Sequence, residues 1–439
     1  MLDVDRPDAE PEALSRNRDF KLLLTTQGIS SLGDAVNATA LPLLVLALTG
    51  SGFAMGIVAA LQTLPDLVFG MIAGATADRA DRKRMMLVAD LGRAGLTALI
   101  PVSVLLGGPT MVVIFAVAVP LSVLRSFFMA GYTAAVPGLV GRPLIAKANS
   151  LLEAVYSTGY IAGPAVAGIL SSTIGPGPTL AIDAASFALS GLGLAFIGRD
   201  LRPSSDRPET GIVAEIREGV DFVVGHPILR SAILYWGLTA VISASLVTAL
   251  AVYITRDLGH SAAILGVVLT AFGGGTVAGA LAMARLGNRG TAAPWLIGGN
   301  LLLAAALLVI AAVPLIPVLT VSALVAGIAQ SLVLVTYLTL RTAYSPDALL
   351  GRIGSTARVI SFGLLPVGLL VGGAIIDLTS GSFAIAIMGA GLAIVSLPFM
   401  ASSALRRARS KPDPQEIEAA RPDGPWVADR VGRSDDRPR

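Results

Sequence analysis

The chain contains no cysteine and only two histidines, His226 and His260, among its 439 residues. Disulfides and thiolate metal sites are therefore excluded. Both histidines fall at predicted ends of apolar segments, so no His-based metal centre is expected. Lysine is scarce and the pattern G-x-x-x-x-G-K-[ST] is missing, which leaves no P-loop ATPase within the sequence. Charge is sparse too. Charged residues make up 14% against 54% hydrophobic, and the mean hydropathy is +0.76. Soluble proteins of this size do not combine such values, whereas a polytopic helical membrane protein does. A net charge of +3 fits basic loops rather than a nucleic-acid surface. With no nucleophile–base or metal constellation, neither an enzyme nor a cofactor is expected. The segment before Asn17 is polar and acidic, and the first apolar run is too long for a signal core, so no cleavable signal is expected.

What is present is a series of long apolar runs. Twelve predicted spans cover 20–48, 53–76, 85–107, 110–134, 149–173, 178–198, 228–254, 262–285, 293–313, 316–342, 354–377 and 382–403. Each can cross about 30 Å of hydrocarbon at about 1.5 Å per residue. Loops at 49–52, 107–109, 174–178 and 314–317 contain no Lys or Arg. Loops on the other side hold Arg142, Lys147, Arg199, Arg202, Arg285, Arg289 and Arg352, and the tail opens with Arg406, Arg407 and Arg409. This asymmetry places the second set, and both termini, in the cytoplasm of a cell whose plasma (inner) membrane holds the multi-pass chain.

The predicted organisation is a disordered N-terminus (1–17), a six-helix bundle (18–198), a cytoplasmic linker (199–226), a second six-helix bundle (227–404) and a disordered tail (405–439). Trp426 in that tail has no assigned role. In the linker, Ile212, Ile216, Val220 and Val223 recur at helical spacing while Glu215, Glu218 and Asp221 face away. This predicts an amphipathic helix on the cytoplasmic membrane surface. The halves repeat weakly: Gly56 to Ala60 (GIVAA) matches Gly266 to Thr270 (GVVLT), and at the same offset Asp78 and Arg79 fall on Asn288 and Arg289. Two pseudo-symmetric bundles predict a substrate site between them near mid-membrane.

The charged hairpin at 70–84 reads GMIAGATADRADRKR. Gly70 and Gly74, four apart, are expected to let a neighbouring backbone approach. The charges from Asp78 to Arg84 hold the tip in water. Residues Gly74 to Lys83, GATADRADRK, resemble the loop 2–3 signature G-x-L-A-D-R-x-G-R-K of the major facilitator superfamily, with Thr76 for Leu and Asp81 for the second Gly. The Asp variant and the stretch Pro143 to Asn149 (PLIAKAN) resemble the macrolide-efflux and enterobactin-exporter-like branch of drug:proton antiporters. The resemblance implies an all-α membrane protein with twelve transmembrane helices in two pseudo-symmetric six-helix bundles. It also implies a conformational gate at Gly74, Asp78, Arg79, Arg82 and Lys83, with Asp78 meeting the chain near 351–356 in one state.

In span five, Gly159 to Gly168 reads GYIAGPAVAG. It resembles the superfamily's antiporter motif G-x-x-x-G-P-x-x-G-G, with Ala167 for one glycine. Gly159, Gly163 and Gly168 permit close helix packing, and Pro164 removes a backbone hydrogen bond. The resemblance implies export by antiport.

Charges inside the bilayer cost roughly 2.5–3.5 kcal/mol each on insertion scales, so each is a functional candidate. Asp34 lies in the middle of span one, on one face with Gln27, Ser30 and Asn37. Asp66, Arg125 and Glu153 complete the proton-coupling candidates, with Asp34 and Arg125 expected as alternating partners because their depths match. Asp183 opens span six, close to the outer surface, where a helix-start or interfacial role is expected rather than a proton site. Tyr156 and Tyr160 share a face with Glu153. In the second half no acid lies clearly inside a span, and Tyr235, Trp236, Gln330 and Tyr337 are expected to offer substrate contacts. The expected function is proton-coupled export of an amphipathic or hydrophobic small molecule, by a monomer whose partners are substrate, protons and the lipid bilayer. An importer or facilitator is the alternative, and a non-transporting sensor or scaffold a third.

Overall fold

The computed structural model describes residues 14–202, 212–286, 291–346 and 349–409. The N-terminal segment before residue 14, most of the Pro- and Ser-rich connector, Arg289, Asp347 and the tail with Trp426 lie outside them. The described chain is all-α. Span one is Arg18–Thr49, span two Gly52–Ala77, span three Arg82–Leu105, span four Thr110–Val140 and span six Pro176–Ala195. Spans seven to twelve are Pro227–Asp257, Ala262–Leu286, Ala293–Ala312, Ile316–Ala343, Leu350–Leu378 and Gly381–Met400. These eleven are long and apolar enough to cross a bilayer. Span five, Ile145–Thr173, has the length but a more polar make-up, with Lys147, Glu153 and several Ser, Thr, Tyr and Gly residues.

Two compact units emerge. The first comprises Met1–Arg207, Val247–Thr270 and Gly373–Gly381; the second comprises Pro208–Leu246, Ala271–Gly372 and Ser382–Arg439. The first therefore holds spans one to six together with the end of span seven, the start of span eight and the end of span eleven.

In the first unit, span one packs on spans five and six, span three on four and six, and span two on four. Phe20, Leu23, Met86, Phe128, Leu139 and Leu194 form its apolar core. Helix ends are capped from the sequence. Asn17 accepts from the Phe20 amide (2.9 Å) and donates to the Leu139 carbonyl (2.9 Å), tying the start of span one to the end of span four. Gly50 adopts φ 64°, a left-handed C-cap that a β-carbon would strain. Asp81 caps span three by accepting from the Arg84 amide at 3.2 Å. Lys83 donates to the Ala195 (2.9 Å) and Ile197 (2.5 Å) carbonyls, groups that the end of span six leaves without helical partners. The charged hairpin is thus braced on span six. Its glycines behave differently from expectation: a β-carbon on Gly70 or Gly74 would meet nothing within 4 Å. Their spacing sets a face, but in this structure that face has no close neighbour.

Acids near span ends act as caps. Asp377 accepts from the Gly52 amide (2.5 Å), the Ser51 hydroxyl (2.5 Å) and the Phe53 amide (3.0 Å), so its charge sits at the N-terminus of span two. Asp257 accepts from the Gly381 amide (2.7 Å) at the start of span twelve.

Span seven is interrupted at Ala244 and Ser245, within the second unit, and its end, a π-helical turn at Val252–Asp257, belongs to the first. Span eleven is interrupted at Gly363 and Leu364. The breaks lie close together: Ser245 donates to the Gly368 carbonyl at 3.0 Å. The linker helix Ile212–Gly225 forms as predicted, but it packs on protein. Val223 is buried in the core of the second unit, and a β-carbon on Gly219 would lie 2.6 Å from the Thr356 hydroxyl. That contact corrects the expected membrane-surface placement, because the Val223 end of the stripe is covered by protein.

His226 caps span seven, its Nδ1 accepting from the Leu229 amide at 3.3 Å. Its ring stacks on Phe222 and tilts against Tyr344. Burial pushes the imidazole down to about 4. The unfolded chain takes up this proton below about pH 6.5 while the folded chain does not. The cap therefore contributes fully above pH 6.5 and is lost as pH falls toward 4, by up to about 3 kcal/mol. His226→Asn keeps a capping acceptor that does not titrate. Melting of the detergent-purified variant is expected to lose less stability between neutral and mildly acidic pH than wild type does. Parallel profiles would contradict this.

Candidate substrate cavity

The six spans of the first unit enclose a cavity of about 630 Å³. The polar face of span one supplies Gln27, Ser30, Asp34 and Asn37, all on its wall. Span five supplies Glu153, Tyr156 and Tyr160, and span four supplies Arg125 and Tyr132. The remainder mixes apolar and aromatic residues such as Leu121, Phe128, Met129, Leu152 and Phe187 with polar ones such as Gln62, Arg93, Thr97, Asn149 and Asp183.

Close helix packing builds this wall. A β-carbon on Gly159 would lie 3.0 Å from the Leu32 amide nitrogen, and one on Gly163 would lie 2.3 Å from the Ala35 β-carbon. Gly168 is equally tight against Ala262 and Gly266 at the start of span eight, and the Pro164 carbonyl lies 2.5 Å from where a Gly266 β-carbon would be. The span-five motif thus presses its helix against the polar span one. Gly163→Leu is expected to lose more than the 1–3 kcal/mol typical of overpacking, since backbone must move. Gly74→Ala, in open space, is expected to be neutral or slightly stabilising. Thermal melting of the two variants checks the contrast; equal losses would contradict it.

The charges meet differently from the depth-based expectation. Asp34 pairs with Arg93 of span three, Oδ1 to Nη2 at 2.7 Å, and not with Arg125. Arg125 sits exposed on the cavity wall and makes no ion pair among the described residues. Depth along two helices does not fix the direction in which their side chains point, and span three carries its own cation at a suitable level. Arg93 is 5% exposed. Its other nitrogen reaches Asp90 at 3.5 Å, and its guanidinium lies 3.7 Å from the Phe187 ring centroid. Asp183 is also displaced from expectation. It is fully buried, eight residues into Pro176–Ala195, accepts a hydrogen bond from Asn37 and borders the cavity. A helix-start role does not describe it. Asp66 accepts from the Ser126 hydroxyl of span four and so ties spans two and four together.

Asp90 and Arg93 were not singled out by sequence reasoning. The signal was available: Asp90 and Arg93 are charges three apart inside an apolar span, the pattern that marks function in bilayers.

The aromatic residues proposed for the second half do not line a cavity. Tyr235, Trp236 and Tyr337 are buried in the core of the second unit. The Tyr235 hydroxyl bonds to Ser396 at 2.8 Å, Asn300 donates to Ser396 at 3.0 Å, and Trp236 stacks on Tyr337. All three side chains are buried and the Tyr235 hydroxyl is satisfied within the core, which corrects the expected substrate contact. Gln330 lies in Ile316–Ala343 and is half-buried.

A family model described as transmembrane secretion effector matches residues 11–429. The multidrug efflux pump Tap of Mycolicibacterium fortuitum is 30% identical over 365 residues, covering 81% of this chain and 88% of the pump. The enterobactin exporter EntS of Citrobacter koseri is 26% identical over 90% of this chain and 94% of its own. Among solved structures, a bacterial homologue of the human lysosomal transporter Spinster superposes with a TM-score of 0.69 at 15% identity, over 90% of this chain and 98% of the other. At that identity the likeness establishes the fold.

Proposed function

The chain belongs to the transmembrane secretion effector family of the major facilitator superfamily and is a multi-pass membrane transporter of small molecules, and we propose that it exports amphipathic or hydrophobic molecules in exchange for protons. The observation that carries this reading is the half-exposed Asp34, held by a buried arginine on the wall of a drug-sized cavity. A carboxylate that can trade an internal cation for a proton, beside a substrate volume, is what coupling requires. The aromatic and aliphatic wall suits a molecule with a large apolar surface. The named relatives are an efflux pump and an exporter, and the span-five motif resembles that of antiporters. Membrane potential alone supplies about 2.3 kcal/mol per proton per 100 mV. The loop charges support cytoplasmic termini, and the chain is taken to act as a monomer between two alternating states.

The test is uptake by everted membrane vesicles of ethidium, erythromycin and a catecholate siderophore, each with and without an interior-acid pH gradient. Gradient-dependent accumulation of at least one is expected, abolished by an uncoupler. Accumulation only in right-side-out vesicles would reverse the direction, and indifference to the gradient would remove the proton.

The hairpin Gly74, Asp78, Arg79, Arg82 and Lys83 is proposed as the gate. Its brace supports this: Lys83 on span six, and Arg82 donating to the Ala77 carbonyl at 3.1 Å. Asp78→Asn is expected to slow transport several-fold while expression stays intact, since a carboxylate beside a helix N-terminus, the partner the resemblance implies for Asp78, is worth roughly 0.3–1 kcal/mol. Unchanged spin-label distances across the cytoplasmic mouth in that variant would refute the gate.

A further inference from the structure

Behind Asp34 the first unit buries more acid than base. Asp90 and Asp183 are both 0% exposed, and Arg93 is the one cation ion-paired with this group among the described residues. Its short contact, 2.7 Å, is to Asp34; its contact to Asp90 is 3.5 Å. Asp183 has no cation in ion-pair range among the described residues. One of its oxygens, Oδ2, accepts from the Asn37 amide; the other, Oδ1, is buried with no hydrogen-bond partner. It is pressed against span one, where a β-carbon on Gly33 would lie 2.9 Å from it. The groups facing Asp183 are Asn37, Gly33 and Asp34 of span one, Arg93 of span three and Ser186 of its own span. Arg125 and Glu153 stand on other parts of the cavity wall.

An isolated carboxylate removed from water is not held as a bare charge. Arg93 serves Asp34 and Asp90, and Asp183, the carboxyl of this group with no cation in ion-pair range among the described residues, is the one that takes up a proton. Asn37 is suited to both forms: its amide group donates to the carboxylate, and after rotation its carbonyl accepts from the acid. Since Asp183 also borders the cavity, this proton has a route to water.

We propose that Asp183 is a second proton-carrying acid of the transport cycle, positioned by Asn37, so that each cycle exchanges one more proton than Asp34 alone would carry. The inference rests on the proton-exchange reading above. In each cycle an O–H bond forms on the Asp183 carboxyl from outer water and breaks to cytoplasmic water, with no other group oxidised or reduced.

Two measurements test it. In infrared difference spectra of purified protein at neutral pH, the wild type shows the carbonyl stretch of a buried protonated carboxylic acid. That band disappears in Asp183→Asn, persists in Asp34→Asn and shifts in Asn37→Ala. Absence of the band from wild type, or its persistence in Asp183→Asn, overturns the proposal. In proteoliposomes, the steady-state ethidium ratio at a fixed pH gradient reports the number of protons exchanged. Asp183→Asn is expected to lower the slope of log ratio against pH gradient by one, with Asn37→Ala lowering the rate but keeping the slope. An unchanged slope in Asp183→Asn makes its proton structural and overturns the inference while leaving proton exchange in place. A wild-type slope of zero fails the exchange reading itself. Should Asp183→Asn fold poorly, the infrared shift in Asn37→Ala decides: an unshifted band rules out Asn37 as the positioning group, and with it the proposal.

Discussion

Arg93→Ala is expected to be the most damaging single substitution in the first unit. The guanidinium is buried, pairs with Asp34, reaches Asp90 and lies on the Phe187 ring. Its removal leaves buried carboxylates without their cation, a loss of about 3–5 kcal/mol for a broken buried pair. A membrane protein of ordinary stability does not keep its monodisperse fold under such a loss. Arg93→Lys keeps charge but not the planar fork or the ring contact, and is expected to fall between. Asp90→Asn added to Arg93→Ala should recover part of the loss, because one uncompensated charge goes with it. Size-exclusion profiles and melting curves of the three variants beside wild type check the order. An Arg93→Ala protein that melts with wild type would show that the cluster is not held by its cation.

Asp34→Asn is expected to act on function instead. At 45% side-chain exposure the carboxylate touches the cavity, and its amide analogue resembles the protonated acid. Proton-driven accumulation should fall at least tenfold per unit of pH gradient, while substrate binding and downhill exchange remain measurable. Arg125→Ala should act more mildly, raising the substrate concentration needed for half-maximal rate, because the Asp34–Arg93 pair survives it. Accumulation at wild-type rates in Asp34→Asn vesicles would make Asp34 structural and pass the role to Glu153 on the same wall.

Most of the architecture was readable because the bilayer imposes it. Span lengths, basic inner loops and the glycine spacing of span five are one-dimensional signals, and each physical cause acts along the chain. The polar face of span one was readable for the same reason: residues 27, 30, 34 and 37 share a helical side whatever surrounds it. What could not be read was azimuth between helices. Arg125 and Arg93 offer cations at comparable depth, and only packing of span three against span six turns Arg93 toward Asp34. Asp183 was misplaced because depth was counted from the helix start, without the recess that Gly33 provides. The aromatics of the second unit were ambiguous in kind. A Tyr in a span serves a cavity or a core equally well, and the deciding partners, Ser396 and Asn300, are 161 and 96 residues from their contacts. The linker helix showed its apolar stripe plainly, yet periodicity does not say whether lipid or protein covers it.

The most direct test of the account is proton movement driven by substrate alone. Purified protein is reconstituted into liposomes enclosing a pH-sensitive dye, with equal pH on both sides, and an ethidium gradient is imposed. The account predicts that ethidium entering the vesicle drives protons out, that collapsing the ethidium gradient stops them, and that Asp34→Asn moves fewer protons per ethidium than wild type. Ethidium flux through wild type with no change in internal pH, or with protons moving in the same direction, would contradict it.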